Sequence, residues 1–310
     1  MPRLGDKYIA GFLDADGSIT LGFNRETRRP QLQVVFSQNA SQDEVIHRIH
    51  EELRCGSICE RTSNANTRYS TLTLTQSNAR MLLNRIGHHL VVKRHFAAVA
   101  VDLSQRQIEP SEIETVQAYI KVHRYMSSLP VPPHPSRSWM AGYLDGDGCF
   151  AVTKMTKFGE VADLVLHVAA DKRKVEGIEL MQKNFGGRIY SMSQDRCRQW
   201  VLRLDPPKVL SMMPDLAKRM VVKADQAYFL LGCAEMGHFR DGSNIKAAMK
   251  HLKARPHRLN EPRADVRELV RTVRDLPKAK RADYGDFVRG ERGRIIGKKP
   301  FVQATVDPAV

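Results

Sequence analysis

The sequence predicts an α/β chain of the α+β type, made of two pseudo-symmetric halves. Each half runs αββαββα around a four-stranded antiparallel sheet. Three observations carry this prediction. A ten-residue stretch, Tyr8-Ile9-Ala10-Gly11-Phe12-Leu13-Asp14-Ala15-Asp16-Gly17, recurs as Trp139-Met140-Ala141-Gly142-Tyr143-Leu144-Asp145-Gly146-Asp147-Gly148 at a constant spacing of 131 residues. After each copy, period-two and helical apolar patterns alternate in the same order. The length of 310 residues also suits two domains of about 150 each.

Each motif copy reads as a short apolar helix stopped by a glycine, the residue that commonly follows a helix C-terminus. Gly11 and Ala15, like Gly142 and Gly146, lie four apart and so share a helix face. Such a small-residue strip lets two helix backbones approach closely. In the first half, Ser18 to Asn24 alternates with Ile19, Leu21 and Phe23 on one face. Gln31 to Ser37 follows with Leu32, Val34 and Phe36 inward. Asp43 to Leu53 is an amphipathic helix on Val45, Ile46, Ile49 and Leu53, ended by Gly56. Ser57 to Thr62 and Arg68 to Thr75 form a hairpin, and helices span Ser77 to Ile86, Lys93 to Leu103 and Glu112 to Met126.

The first half therefore occupies residues 1–129. Pro130-Val131-Pro132-Pro133-His134-Pro135 lies in a semi-rigid linker, 130–138. The second half, 139–277, repeats the pattern. Cys149 to Lys154 and Leu164 to Val168 match the first two strands, and Lys174 to Phe185 matches the helix. Gly187 matches Gly56, while Arg188 to Ser191 and Gln199 to Leu204 match the hairpin. Lys208 to Met213 and Lys223 to Gly232 match the next two helices. Asn244 to Ala254 is an inserted basic helix, and Glu261 to Pro277 echoes Glu109 to Pro130. Residues 278–310 read as a basic tail, either a disordered, solvated terminus or an arm docked on DNA.

A formal net charge of +15 and a pI near 9.8 point to a polyanionic partner. No run approaches about 18 consecutive apolar residues, so no membrane-spanning helix is expected. The first residues lack the apolar core of a secretory signal. The odd number of cysteines, five, reads as reduced intracellular thiols. Cys55 and Cys59 have no matching second pair, which argues against a zinc site.

Asp16 and Asp147 are anomalous, because a helix C-terminus disfavours negative charge. If the two motif helices pack side by side, both carboxylates emerge together and call for a compensating cation. Oxygen ligands suit magnesium. A turn after a helix explains one Asp-Gly as readily, but the repeat at matched positions favours a shared site. Asp14 and Asp145 lie two residues earlier, about 200° round the helix, so they belong to packing or hydrogen bonding at the seam.

At Ile9 to Gly17 and Met140 to Gly148 the chain resembles the LAGLIDADG homing endonucleases of the single-chain, two-motif type, over roughly residues 1–235. The resemblance implies a monomer whose two sheets form a DNA-binding saddle over a long target, pseudo-palindromic or asymmetric. It implies hydrolysis of both strands with Mg2+, with Mn2+ as substitute and Ca2+ supporting binding without cleavage. It assigns metal binding to Asp16 and Asp147, and active-site roles to Lys93, Lys223 and Gln38. The repeat aligns Ala169 with Gln38, and Asp171, two residues on, is the candidate substitute. Outward strand residues would read double-stranded DNA in the major groove: Asn24, Arg25, Gln31, Gln33, Arg61, Arg68, Tyr69, Arg188, Tyr190, Gln199 and Arg203. Two rivals share the fold: a splicing maturase that binds intron RNA, and a nuclease-dead DNA-binding regulator.

Overall fold

The computed structural model describes residues 3–24, 27, 29–63, 65–124, 126, 135–157, 160–171, 175–192, 197–240, 242–254, 264–272, 287–289 and 295–298. The first half comprises α1 (Asp6–Asp16), β1 (Gly17–Phe23), β2 (Pro30–Asn39), α2 (Glu44–Leu53), β3 (Ser57–Thr62), β4 (Arg68–Thr75), α3 (Gln76–Ile86), α4 (Arg94–Leu103) and α5 (Ile113–His123). The second comprises α6 (Arg137–Asp147), β5 (Gly148–Met155), β6 (Val161–Asp171), α7 (Glu176–Phe185), β7 (Arg188–Met192), β8 (Cys197–Arg203), α8 (Pro206–Arg219), α9 (Ala224–Glu235), α10 (Gly242–Ala254) and α11 (Ala264–Thr272). The sheets have the matching orders β1-β2-β4-β3 and β5-β6-β8-β7, and every pairing is antiparallel.

Strand alternation explains which face is dry. Leu32, Val34 and Phe36 are fully or almost fully buried, as are Leu164, Leu166 and Val168 opposite Leu202 and Trp200. Their neighbours Gln31, Gln33 and Val35 point to the other, outer face. Helix α2 ends before the expected glycine. Arg54 takes the left-handed conformation and donates its N–H to His50 O. Gly56 is needed two residues later, where φ is +94° and a Cβ would stand 2.8 Å from Thr73 O. Gly187 repeats this, with φ +91° and 2.7 Å to Val201 O.

The motif helices end at Gly17 and Gly148 as the sequence suggests, but neither glycine takes the left-handed conformation common after a helix. Gly17 and Gly148 are extended, with φ of −89° and −77°. They are glycine for space: a Cβ would lie 2.4 Å from the Leu13 side chain and 2.5 Å from Leu144 O. The small-residue strip does what its spacing predicts. A Cβ on Gly11 would be 2.0 Å from Trp139 O, one on Gly142 2.1 Å from Tyr8 O, and one on Gly146 2.5 Å from the Ala15 Cβ. Backbone meets backbone along the α1–α6 seam.

Four further differences bear on the site. Helix α6 begins at Arg137, inside the expected linker, because the Ser136 hydroxyl accepts the Trp139 N–H at 3.1 Å; residues 130–134 lie outside the described ones. Helix α8 continues through Pro214 to Arg219, held by buried Leu216 and Ala217. The spacing between halves is not constant. Gly17 pairs with Phe36 but Gly148 with Val168, so one residue is gained before β6. In the tail, the short strands β9 (Phe287–Arg289) and β10 (Ile295–Lys298) pair antiparallel, where the sequence suggests a solvated terminus. Among the described residues no helix is long and apolar enough to cross a membrane.

The seam makes a direct prediction. Gly11→Ala and Gly142→Ala should each destabilise the fold by about 1–3 kcal/mol or more, since rigid backbone atoms must yield. Gly22→Ala, with open space around it, should leave the urea midpoint nearly unchanged. Equal midpoints for all three variants would refute the close approach.

Candidate active site at the helix seam

The buried acids of the motifs tie the halves together. Asp14 accepts the backbone N–H of Val91 at 2.7 Å and of Lys93 at 2.8 Å, and the Trp139 indole N–H at 3.0 Å. Asp145 accepts the N–H of Val221 at 2.6 Å and of Lys223 at 2.9 Å, and the Tyr8 hydroxyl at 2.6 Å. Tyr8 and Trp139 are the equivalent residues of the two motifs. Each half thus donates to the buried carboxylate of the other. A buried carboxylate is costly unless its oxygens are hydrogen-bonded, and three donors meet each one. Burial still pushes the Asp14 carboxyl up, with Lys93 and the donated hydrogen bonds opposing it. Burial also lifts the Tyr8 phenol well above its usual value, and Asp145 adds to this, so Tyr8 remains a donor. The expected packing role of Asp14 and Asp145 is what the geometry shows.

Lys93 and Lys223 occupy positions the sequence alone does not reveal. The Lys93 ammonium bonds the carbonyls of Leu13 at 2.7 Å and Ala15 at 3.3 Å, and also that of Asp14. Lys223 bonds the carbonyls of Asp145 and, at 3.4 Å, Gly146. Each lysine therefore caps the C-terminus of its own motif helix, where the dipole favours positive charge. This compensates part of the charge that the carboxylates bring to those helix ends.

Asp16 and Asp147 are the last residues of α1 and α6. Asp16 is half-buried and Asp147 exposed. A Cβ on Gly146 would stand 3.4 Å from the Asp16 Cβ, so the Asp16 side chain starts against the opposing helix. Burial pushes the Asp16 carboxyl up, opposed first by Lys223 of the other half and then by Lys93. Burial draws the Lys223 ammonium down, opposed by Asp145, Asp16, Cys149 and Asp147. Lys223 therefore serves acids on both sides of the seam. The Gln38 amide reaches Asp16 Oδ2 at 3.5 Å. The second half differs there. Counting from the β5–β6 register, Ala170 and not Ala169 stands level with Gln38, and Asp171 stands level with Asn39. Ala170 is buried and carries no polar group; the Asp171 side chain is outside the described residues.

Four carboxylates face two ammonium groups here, a formal excess of two negative charges when all are ionised. Among the described residues no group of three or more His, Cys, Asp or Glu side chains forms a metal cluster. A divalent cation at the seam would meet the two carboxylates Asp16 and Asp147, with the Gln38 amide beside one. That donor set fits magnesium, which takes one or two carboxylates and completes its shell with waters and substrate phosphates.

The outer sheet faces hold Gln31, Gln33, Arg61, Tyr69, Arg188 and Tyr190 as expected. Gln31, Arg61, Tyr69, Arg188 and Tyr190 are exposed, and Gln33 is half-buried. Arg68 alternates with Tyr69 and so shares the face of Ser70 and Leu72 instead of the outer one, but its side chain is exposed at the hairpin end, where it pairs with Glu60 at 3.8 Å. Three others are on or beside the outer face but already engaged. Asn24 Oδ1 accepts the Thr27 N–H at 2.8 Å, Gln199 bonds the His167 ring, and Arg203 pairs with Asp163. Arg25 lies outside the described residues.

His167, Cys149 and Lys253 are not among the candidate residues of the sequence. His167 and Cys149 sit directly opposite each other at outward positions of β6 and β5, a period-two signal that could have found them. Lys253 Nζ lies 3.0 Å from the Cys149 sulfur. Burial pushes the Cys149 thiol up, but hydrogen bonds with His167 and Lys253 outweigh it and bring it to about 7.

Residues 9–90 match the model of the family described as LAGLIDADG endonuclease. No curated protein matches the chain. Among solved structures, the LAGLIDADG homing endonuclease I-GzeII in complex with its DNA target is 18% identical with a TM-score of 0.60, over 81% of this chain and 97% of that one. The meganuclease I-CpaMI bound to uncleaved DNA is 15% identical with a TM-score of 0.56, over 82% and 99%. I-SmaMI bound to uncleaved DNA in the presence of calcium ions is 14% identical with a TM-score of 0.54, over 81% and 98%. At these identities the likeness is one of fold.

The raised Asp16 pKa fixes the sign of a stability measurement. The ionised carboxylate costs stability at neutral pH, and that cost disappears as pH falls below the unfolded value near 3.8. Asp16→Asn should therefore melt above the wild type at pH 7, with the gap closing towards pH 4. Millimolar magnesium should raise the wild-type midpoint and leave Asp16→Asn unmoved. A variant melting below wild type at pH 7 would contradict this electrostatic account.

Proposed function

From the match of residues 9–90 to the LAGLIDADG endonuclease model, the fold shared with LAGLIDADG homing endonucleases and the recurrence of the motif at Met140 to Gly148, we propose that the chain is a single-chain, two-motif, site-specific double-strand DNA endonuclease. The reaction is metal-dependent hydrolysis of one phosphodiester on each strand of a long target. The observation that carries this reading is the meeting of Asp16 and Asp147 at the ends of two abutting helices, with Lys223 attracted to both. A stability-driven fold has no use for two acids at helix C-termini.

The division of labour follows from position. The outer sheet faces supply exposed Gln, Arg and Tyr side chains, the types that contact base edges and phosphates in a major groove. The +15 charge draws the duplex in. Asp16 and Asp147 stand where a phosphate would lie across the seam. A divalent cation held by them would activate water and offset charge on the leaving oxygen. Lys93 and Lys223, pinned by helix carbonyls, keep fixed positive charge beside the phosphate without reorganising. Gln38 holds one oxygen of Asp16. The chain acts as a monomer, because both motifs already reside in one polypeptide.

The test is cleavage of a plasmid carrying a target selected from a random library. Linearisation should require magnesium or manganese and stop in EDTA, while calcium supports binding only. Asp16→Asn and Asp147→Asn should each retain binding and lower linearisation by at least about a hundredfold, with nicked product accumulating if the acids serve separate strands. Full cutting in EDTA, or wild-type linearisation by either variant, overturns the mechanism. Binding without any cutting would favour the nuclease-dead regulator.

A further inference from the structure

Helix α10 has no counterpart in the first half, where only residues 104–112 separate α4 from α5. It lies along β5, the edge strand of the second sheet, and buries Ile245, Ala248, Met249 and Leu252. Covering an open edge accounts for that apolar stripe. It does not account for the polar side. The helix carries Lys246, Lys250, His251 and Lys253 and no acid. Lys246, Lys250 and Lys253 are spaced i, i+4 and i+7, so they form one stripe down the helix. Lys250 is exposed, and Lys246 and Lys253 are half-buried. Lys253 shows which way the stripe faces. Its ammonium donates to the Cys149 sulfur at 3.0 Å. Cys149 lies on the outer face of β5, because Phe150 next to it is buried in the core. The lysine stripe therefore runs along the outer-face side of the β5 edge. The Lys253 carbonyl also accepts the Gln42 side-chain N–H at 3.1 Å, which fixes the end of the helix to the first half.

We propose that α10 is a phosphate-binding rail for duplex DNA: the stripe Lys246, Lys250 and Lys253 contacts the backbone of one strand, and only in the half-site held by the second half. This rests on the nuclease reading above and adds to it a surface outside the two sheets. The stripe is about 10 Å long, the axial rise of about three phosphates on one strand. The outer positions of β5 beside it, Cys149 and Ala151, are small and do not hold a DNA backbone away. Lysine is a flexible point charge and suits phosphate better than base edges. Such contacts add affinity and set register without reading sequence. A packed helix pinned at its end also presents its charges with little ordering cost.

Binding to the selected target and to a random-sequence duplex would be measured in calcium over a range of salt. The triple variant Lys246→Gln/Lys250→Gln/Lys253→Gln should lower the slope of log affinity against log salt by about two to three. Lys250→Gln alone, at an exposed position that touches no packed surface, should lower it by about one. A control, Lys121→Gln/Lys183→Gln/Lys218→Gln, removes the same charge from exposed positions of α5, α7 and α8 and should lower it by less than about one. Affinity for target and for random duplex should fall by the same factor in the α10 variants. Phosphate ethylation interference should vanish at about three neighbouring phosphates of a single half-site. An unchanged slope for Lys250→Gln, an equal loss in the control, an altered preference for target over random duplex, or interference lost from both half-sites would overturn the proposal, and target cutting by wild type would leave the nuclease reading standing. A wild type that binds no duplex would remove both.

Discussion

The architecture depends on two buried carboxylates that each half satisfies for the other. Asp14 is held by the indole of Trp139, and Asp145 by the phenol of Tyr8. The remaining oxygen valences are filled by backbone N–H groups at the starts of α4 and α9. Removing any donor leaves a buried charge partly unsatisfied, a penalty larger than a hydrogen bond's net worth. The halves therefore favour one mutual register. That register brings Gly11 and Gly142 against opposing carbonyls and ends both helices side by side.

The same frame sets the charge at the site. Because the segments that open α4 and α9 bond to Asp14 and Asp145, Lys93 and Lys223, the residues just before those helices, are carried under the ends of the motif helices. Their ammonium groups then cap the carbonyls, and the exposed edge of the seam is left to Asp16 and Asp147. The acid two positions earlier in each motif builds the scaffold, and the last acid faces the solvent side. One spacing thus separates structure from chemistry, as the ~200° helical offset requires.

Most of the fold was legible because the determinants are periodic. Strands β3 and β4 coincide with the alternation from Ser57 to Thr62 and Arg68 to Thr75, and the repeat located both motifs. The illegible parts are those decided by contact across the chain. Gly17 does end its helix, but it is glycine because of the Leu13 side chain and not because of a left-handed turn. Arg68 looks outward because it is charged, yet its register puts it beside Glu60. The extra residue before β6 hid the true equivalence of Gln38 and Ala170, since insertion of one residue shifts every later side chain to the opposite face. Lys253 was invisible because its neighbours, Cys149 and Gln42, are more than a hundred residues away in sequence.

The central claim is that the halves are joined through reciprocal donation to buried carboxylates, and a double-mutant cycle on one such pair addresses it most directly. Urea unfolding of wild type, Tyr8→Phe, Asp145→Asn and the double variant isolates the pairwise term. The account predicts a coupling above about 1 kcal/mol, as expected for a hydrogen bond to a buried charge. Additivity within about 0.3–0.5 kcal/mol would contradict it.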